Sequence, residues 1–255
     1  MIKTFFGYFD MTQIVNVNAR EAAHFNMRDA RFNMQSATAR FNMIEQQIRT
    51  WEVLDPKVLA LLNDLPRENF VPPEYAGLAF ADIEIPIGYG QTMLSPKLEG
   101  RILQALNVEK SHTVLHIGTG SGYFTALLAS LAKQVVSVEI EADLSAQAAK
   151  NLANNNIQNV TLKVTDAITG RLGTVAGKKV LYDAIVYTAS SPVEPAGIRE
   201  QLNVGGVMFI VLGTSPVMQA TLIHRVSETG FREDVLFETC LPELINAPQA
   251  KQFEF

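Results

Sequence analysis

The chain has little that cross-links, binds metal or carries positive charge. One cysteine, Cys240, stands among 255 residues, so no internal disulfide framework can form and a reducing, cytoplasmic setting is expected. The four histidines, His24, His112, His116 and His224, lack zinc-ligand spacing, and no metal site is expected. Lys and Arg number 21 against 26 Asp and Glu, a formal net charge of -5. That balance gives no electrostatic footprint for nucleic acid. Long apolar runs are also missing. The opening "MIKTFFGYFD" is broken by Gly7 and stopped by Asp10, too short for a secretory core or a bilayer span. No other stretch reaches spanning length without charges, so no membrane association is expected.

Enough apolar residue is present, 47%, for one sizeable core or a core with a small subdomain. Residues 1–38 stand apart as an N-terminal arm. Phe-Asn-Met occurs at Phe25, Phe32 and Phe41, at spacings of seven and nine, which is no solenoid period. An amphipathic helix with Phe and Met on one face is the plain reading; an arm that joins copies of the chain into a homo-oligomer is the sharper one. Residues 39–110 form a helical, substrate-side segment, joined in one compact unit to a cofactor-binding domain over 111–255. In the first of these, "MIEQQIRTWEVLDPKVLALLNDLP" predicts two short helices split at Asp55-Pro56, with Asp55 the N-cap. "FADIEIPIGYGQTML" reads as extended chain and loop. Ser95 and Pro96 then restart a helix whose buried stripe is Leu98, Ile102, Leu103 and Leu106.

Beyond Ser111 strand and helix alternate. Strands are predicted over Thr113–Ile117, Gln134–Glu139, Val160–Val164, Ala184–Thr188 and Val207–Leu212, and helices over Tyr123–Ala132, Leu144–Asn154 and Glu194–Leu202. Near-continuous apolar strands at this rhythm imply a parallel sheet covered on both faces. "MQATLIHRV" and "FREDVLFETCL" follow with no helix between them. The expected fold is therefore α/β: a Rossmann-like, doubly wound, mostly parallel sheet with helices on both faces, a C-terminal antiparallel hairpin and an N-terminal helical extension.

The stretch "VLHIGTGSGY", Val114 to Tyr123, carries the chemistry. A glycine-rich turn between a strand and a helix lets a ligand approach bare backbone, at a helix end offering free N–H groups. The glycines fall at Gly118, Gly120 and Gly122, with Tyr123 following, so the third glycine of the dinucleotide spacing is missing. A dinucleotide oxidoreductase is thereby disfavoured, and S-adenosylmethionine, which has no pyrophosphate, fits better. Glu139 closes the second strand 21 residues after Gly118, where a carboxylate can accept both hydroxyls of a ribose. Asp166 follows the third strand, where it can meet an adenine amino group. His116 is expected at the carboxyl end of the central strand, either within reach of the cofactor's methionine end or bonded to backbone in the sheet. In the first case its protonation should repel the cofactor as pH falls through the histidine range.

From about Met43 to Leu244 the chain resembles protein-L-isoaspartate O-methyltransferases. The resemblance rests on "LPRENFVPPEYAGLAFAD", "IPIGYGQTMLSP", "VLHIGTGSGY", "VVSVEI", "YDAIVYTASSP" and "LNVGGVMFIVLG", in that order. It implies an S-adenosylmethionine-dependent enzyme that esterifies isoaspartyl carboxylates in damaged proteins or peptides. It places the cofactor against His116, Gly118, Thr119, Gly120, Gly122, Glu139, Ile140, Asp166 and Ala167. Asp82, Thr92, Leu94, Thr188 and Ala189 fall on the substrate side, and Ser95 is the candidate catalytic hydroxyl. Three positions depart from the family pattern: Leu94 stands where a serine is usual, His116 where an acid is usual, and Glu243 where a leucine closes the site. Three readings stay open: an isoaspartyl methyltransferase, a methyltransferase on another substrate, and a cofactor-binding regulatory or interaction protein without turnover.

Overall fold

The computed structural model describes residues 35–168, 172, 174–175 and 178–250. The chain divides into two units, Met1–Asn42 and Met43–Phe255. Residues 35–42 of the first are helical (α1). Most of the expected 1–38 arm, including its part in an oligomer, lies outside the described residues.

In the second unit, a π-turn over Met43–Ile48 and a 3-10 turn over Arg49–Trp51 replace the first expected helix. Asp55 then caps α2 (Pro56–Asp64), its carboxylate accepting the Lys57 N–H at 2.8 Å. Within the expected extended chain, "IPIGYGQTM" forms a tight hairpin, β1 (Ile85–Gly88) and β2 (Gln91–Met93). Its turn holds Gly88, Tyr89 and Gly90 all at positive φ, geometry that alternating-residue patterns do not reveal. α3 (Pro96–Leu106) buries Leu98, Ile102, Leu103 and Leu106 as expected, but Ser95 at its N-cap makes no side-chain cap bond.

The main sheet has seven strands in the order β11-β10-β9-β8-β3-β4-β5. Its parallel part is β3 (Thr113–Ile117), β4 (Gln134–Glu139), β5 (Val160–Val164), β8 (Tyr182–Ser191) and β9 (Leu202–Thr214). β10 (Val217–Arg225) and β11 (Phe231–Thr239) add the antiparallel edge. A two-residue hairpin, β6 (Thr174–Val175) and β7 (Lys178–Lys179), lies apart from it. α4 (Tyr123–Leu131) and α5 (Ala142–Asn154) follow β3 and β4.

Strand alternation builds a core on each face. One joins Val114, Val135, Ala184, Val186 and Phe209 to the buried stripes of α2 through α5; the other joins Leu115, Ile117, Val138, Ile185, Tyr187 and Met208 to Leu172, Ile198 and Leu202. The helix expected over Glu194–Leu202 is not formed: a 3-10 turn, Arg199–Gln201, stands there instead. Pro195 disfavours helical backbone at Glu194, and Gly197 adopts φ +75°. β8 runs three residues past its apolar stretch, because a register shift lets Ser190 and Ser191 pair with Val211 and Leu212. The carboxyl ends of β3, β4, β5 and β8 thus converge beside the glycine turn, at the point where the chain order reverses across β3.

Candidate functional site

The glycine turn folds as its residues require. Gly118, Gly120 and Gly122 sit at φ +97°, +54° and +87°. A Cβ on Gly118 would stand 2.6 Å from Thr188 Oγ1, and one on Gly122 would stand 3.2 Å from the Ala148 methyl of α5. The turn is therefore bare because it lies close against β8 and α5, as well as to admit a ligand.

Glu139 is the electrostatic centre of the cleft. It is 6% exposed, and its carboxylate accepts three backbone N–H bonds: from Gly120 at 2.8 Å on Oε2, and from Ile140 at 3.0 Å and Glu141 at 3.2 Å on Oε1. Such donors hold a carboxylate in one orientation. A carboxylate has about four acceptor positions, so Oε2 keeps one for an incoming hydroxyl. Asp166 is held likewise, accepting the Ile168 N–H at 2.8 Å and the Asn246 side-chain amide at 3.0 Å.

These acids share one cleft with Ile87, Thr92, Gly118, Gly120, Ile140, Ala167, Thr188 and Ala189. The β1–β2 hairpin supplies its roof through Ile87, Gln91 and Thr92, and the Tyr89 hydroxyl at the hairpin tip donates to Asp143 in α5. The chain after β11 supplies a wall that sequence reasoning missed. Ser190 N–H donates to the Pro242 carbonyl at 2.9 Å and Leu244 N–H to the Ser190 carbonyl at 2.8 Å, which sets Leu244 and Ile245 on the cleft. Glu243, which stands where the family resemblance expects a leucine, is exposed and accepts from the Gln249 amide, and the cleft is lined by Leu244 and Ile245 instead.

Other expected site residues stand further off. Thr119 faces inward, its hydroxyl 2.7 Å from Ser137 Oγ. Leu94 is 5% exposed and lines an adjoining cavity beneath the glycine turn, which Thr92, Gly118, Gly120 and Thr188 also line. Ser95 and Asp82 line a separate cavity with Trp51 and Lys97, where Lys97 pairs with Asp82 at 2.7 Å. His116 is fully buried behind the turn, between the hydroxyls of Thr125, Ser137 and Thr188 and edge-on to Phe124. Burial pushes its imidazole down to about 3, so it stays neutral through the range where protonation was expected.

One buried ion pair was not legible at all. Arg67 and Glu99 are each 1% exposed and joined by a short bond. The same guanidinium donates to the carbonyls of Ala79 at 2.9 Å and Leu94 at 2.7 Å and lies 5.0 Å over the Tyr123 ring. Burial raises the Glu99 carboxyl from 4.5 to about 7, outweighing the lowering by Arg67. A raised carboxyl keeps a proton in the folded protein that the unfolded chain has lost. Its stabilisation is complete below about pH 4.5 and lost as pH rises through about 7. Urea unfolding of parent and Glu99→Gln at pH 5 and 7.5 is expected to show the parent losing stability relative to the variant at the higher pH. A constant difference would mean that Glu99 ionises as it does in the unfolded chain.

Among the described residues no group of three His, Cys, Asp or Glu side chains could hold a metal ion, and no helix is long and apolar enough to cross a membrane. The sheet order, the glycine turn after its central strand and the acids after the next two define a Rossmann-like methyltransferase fold. The family model for protein-L-isoaspartate(D-aspartate) O-methyltransferase matches residues 38–239, and the chain belongs to that family. It is 38% identical over 180 residues to a protein-L-isoaspartate O-methyltransferase of Synechococcus, covering 71% of this chain and 72% of that one. A second such protein, protein-L-isoaspartate O-methyltransferase 2 of Marinobacter nauticus, is 37% identical over 206 residues, 79% of this chain and 92% of its own. In fold it is similar to a crystal structure described as a Plasmodium falciparum protein-L-isoaspartate O-methyltransferase in complex with S-adenosyl-L-homocysteine. That match has a TM-score of 0.67 at 19% identity and covers 80% of this chain and 96% of that one.

Proposed function

We propose that the protein is an S-adenosylmethionine-dependent carboxyl methyltransferase of the isoaspartyl class, and that Leu94 lowers its rate on ordinary isoaspartyl peptides. The observation that carries the reading is Glu139, a buried carboxylate fixed by three backbone N–H groups on the lining of the cleft. The acceptor set fits the cofactor: Glu139 for a ribose hydroxyl, Asp166 for the adenine amino group, and Ile140 and Ala167 as apolar walls for the base. When bound, S-adenosylmethionine supplies an electrophilic methyl group. A substrate carboxylate is already a nucleophile, so the chain's work is orientation and exclusion of water rather than proton removal. Thr92 and Ala189, which line the cleft, are the groups that would orient it, under the roof of the β1–β2 hairpin. Ser95 and Asp82 act, on this reading, from the neighbouring cavity with Lys97 and reach the flanking peptide rather than the reacting carboxyl.

A second reading, methylation of another carboxylate substrate, is favoured by one observation: a buried leucine at position 94 adjoins the cleft where the family resemblance places a serine. A reducing, cytoplasmic setting suits the exposed thiol of Cys240, and the N-terminal arm is retained as a proposed contact between copies. The test is transfer of a labelled methyl group to an isoaspartyl peptide and to its aspartyl twin. Label on the isoaspartyl peptide alone, released by mild base as expected of an ester, supports the first reading. Label on neither peptide, with intact cofactor binding, favours the second.

A further inference from the structure

The group facing His116 most closely from β8 is Thr188, and the chemistry of that contact fixes a proton. Thr188 Oγ1 lies 2.9 Å from the Gly118 carbonyl, 3.1 Å from the Ile117 carbonyl and 3.2 Å from His116 Nε2. A threonine hydroxyl has one hydrogen, and the two carbonyls can only accept. That hydrogen is therefore turned toward the carbonyls, and toward the imidazole the oxygen is an acceptor. His116 Nε2 must then carry the ring's hydrogen. Its Nδ1 lone pair accepts from Thr125 Oγ1 at 2.9 Å or Ser137 Oγ at 3.1 Å. Ser137 in turn meets Thr119 of the glycine turn at 2.7 Å. None of these hydrogen-bonding partners is charged. The chain of bonds ties β3, β4, α4, β8 and the turn together directly beneath the cofactor cleft.

We infer that His116 is a positioning residue: its Nε2–H holds the Thr188 hydroxyl against the Gly118 carbonyl and so fixes the floor on which the cofactor rests. The inference builds on the proposed cofactor site but concerns residues behind it. The network is buried, and an unpaired member costs more than the bond itself gains. Without the imidazole, Thr188 Oγ1 loses its donor, Thr125 and Ser137 compete for fewer acceptors, and the hydroxyl is released to rotate into the cleft.

Two measurements test it. Long-range nitrogen–proton correlation spectra of the ligand-free protein are expected to give His116 the neutral Nε2–H pattern, unchanged from pH 5.5 to 8. An Nδ1–H pattern, or titration within that range, overturns the assignment. Calorimetric titration with S-adenosylhomocysteine then compares parent, His116→Gln, His116→Leu, Thr188→Val and the Leu/Val double variant. Gln places an amide donor near the Nε2 position, and its affinity is expected within about threefold of parent. Leu is expected to bind about tenfold or more weakly, and the double variant no more weakly than the worse single one, since both single changes break the same bond. Parent-like affinity in His116→Leu, or fully additive losses, overturns the positioning role. If the parent itself fails to bind, the cofactor reading fails, and the spectra still decide the proton's place.

Discussion

Leu94→Ser is expected to raise methylation of isoaspartyl peptides by about a hundredfold in kcat/KM, the scale of one well-placed polar contact in a water-excluded site. The backbone there is already held, because Arg67 donates to the Leu94 carbonyl at 2.7 Å. A serine would therefore set its hydroxyl in the cavity that Thr92, Gly118 and Thr188 share with the cofactor cleft, and would remove the leucine bulk. Emptying a buried leucine site costs about 2–5 kcal/mol, so rates must be referred to folded protein at a temperature well below unfolding. A rate per folded molecule equal to or below the parent's would show that Leu94 is not what limits the substrate.

Arg67→Leu is expected to destabilise the fold by about 3–5 kcal/mol, the usual cost of removing one partner from a buried ion pair. Three acceptors from three segments depend on that guanidinium: the Ala79 and Leu94 carbonyls and the Glu99 carboxylate. A loss of that size lowers the thermal midpoint by about 10 °C in a unit this large. Adding Glu99→Leu is expected to recover part of the loss, because the orphaned acid is then gone. A midpoint shift of a degree or two in the single variant would mean that the pair contributes little. Such a result would also remove the reason for the fixed Leu94 backbone.

The parallel core of the sheet was legible because each strand carries its own apolar run, and "VLHIGTGSGY" marks strand, turn and helix within ten residues. Glu139 and Asp166 were placed for the same reason, since one ends β4 and the other stands two residues beyond β5, and the apolar runs define both strand ends. What was hidden depends on long-range contact. The Arg67–Glu99 pair joins positions 32 residues apart, and the Leu244–Ile245 wall reaches the cleft only because Ser190 bonds back to the 241–244 segment. His116 was placed on the correct strand, but its surroundings were not visible. Sequence gives no sight of the three hydroxyls and the Phe124 ring that enclose it. The helix expected after β8 failed on a local signal given too little weight, Pro195 followed by Gly197.

The central claim is that the cleft around Glu139 holds S-adenosylmethionine through that carboxylate. Titration calorimetry of the cofactor into parent and Glu139→Ala tests it most directly. The account predicts saturable one-to-one binding by the parent and affinity weakened about tenfold to a hundredfold in the variant, the range of about 1.5–3 kcal/mol for a hydrogen bond to a charged group. No binding by the parent at millimolar cofactor, or equal affinities in the two proteins, would contradict it.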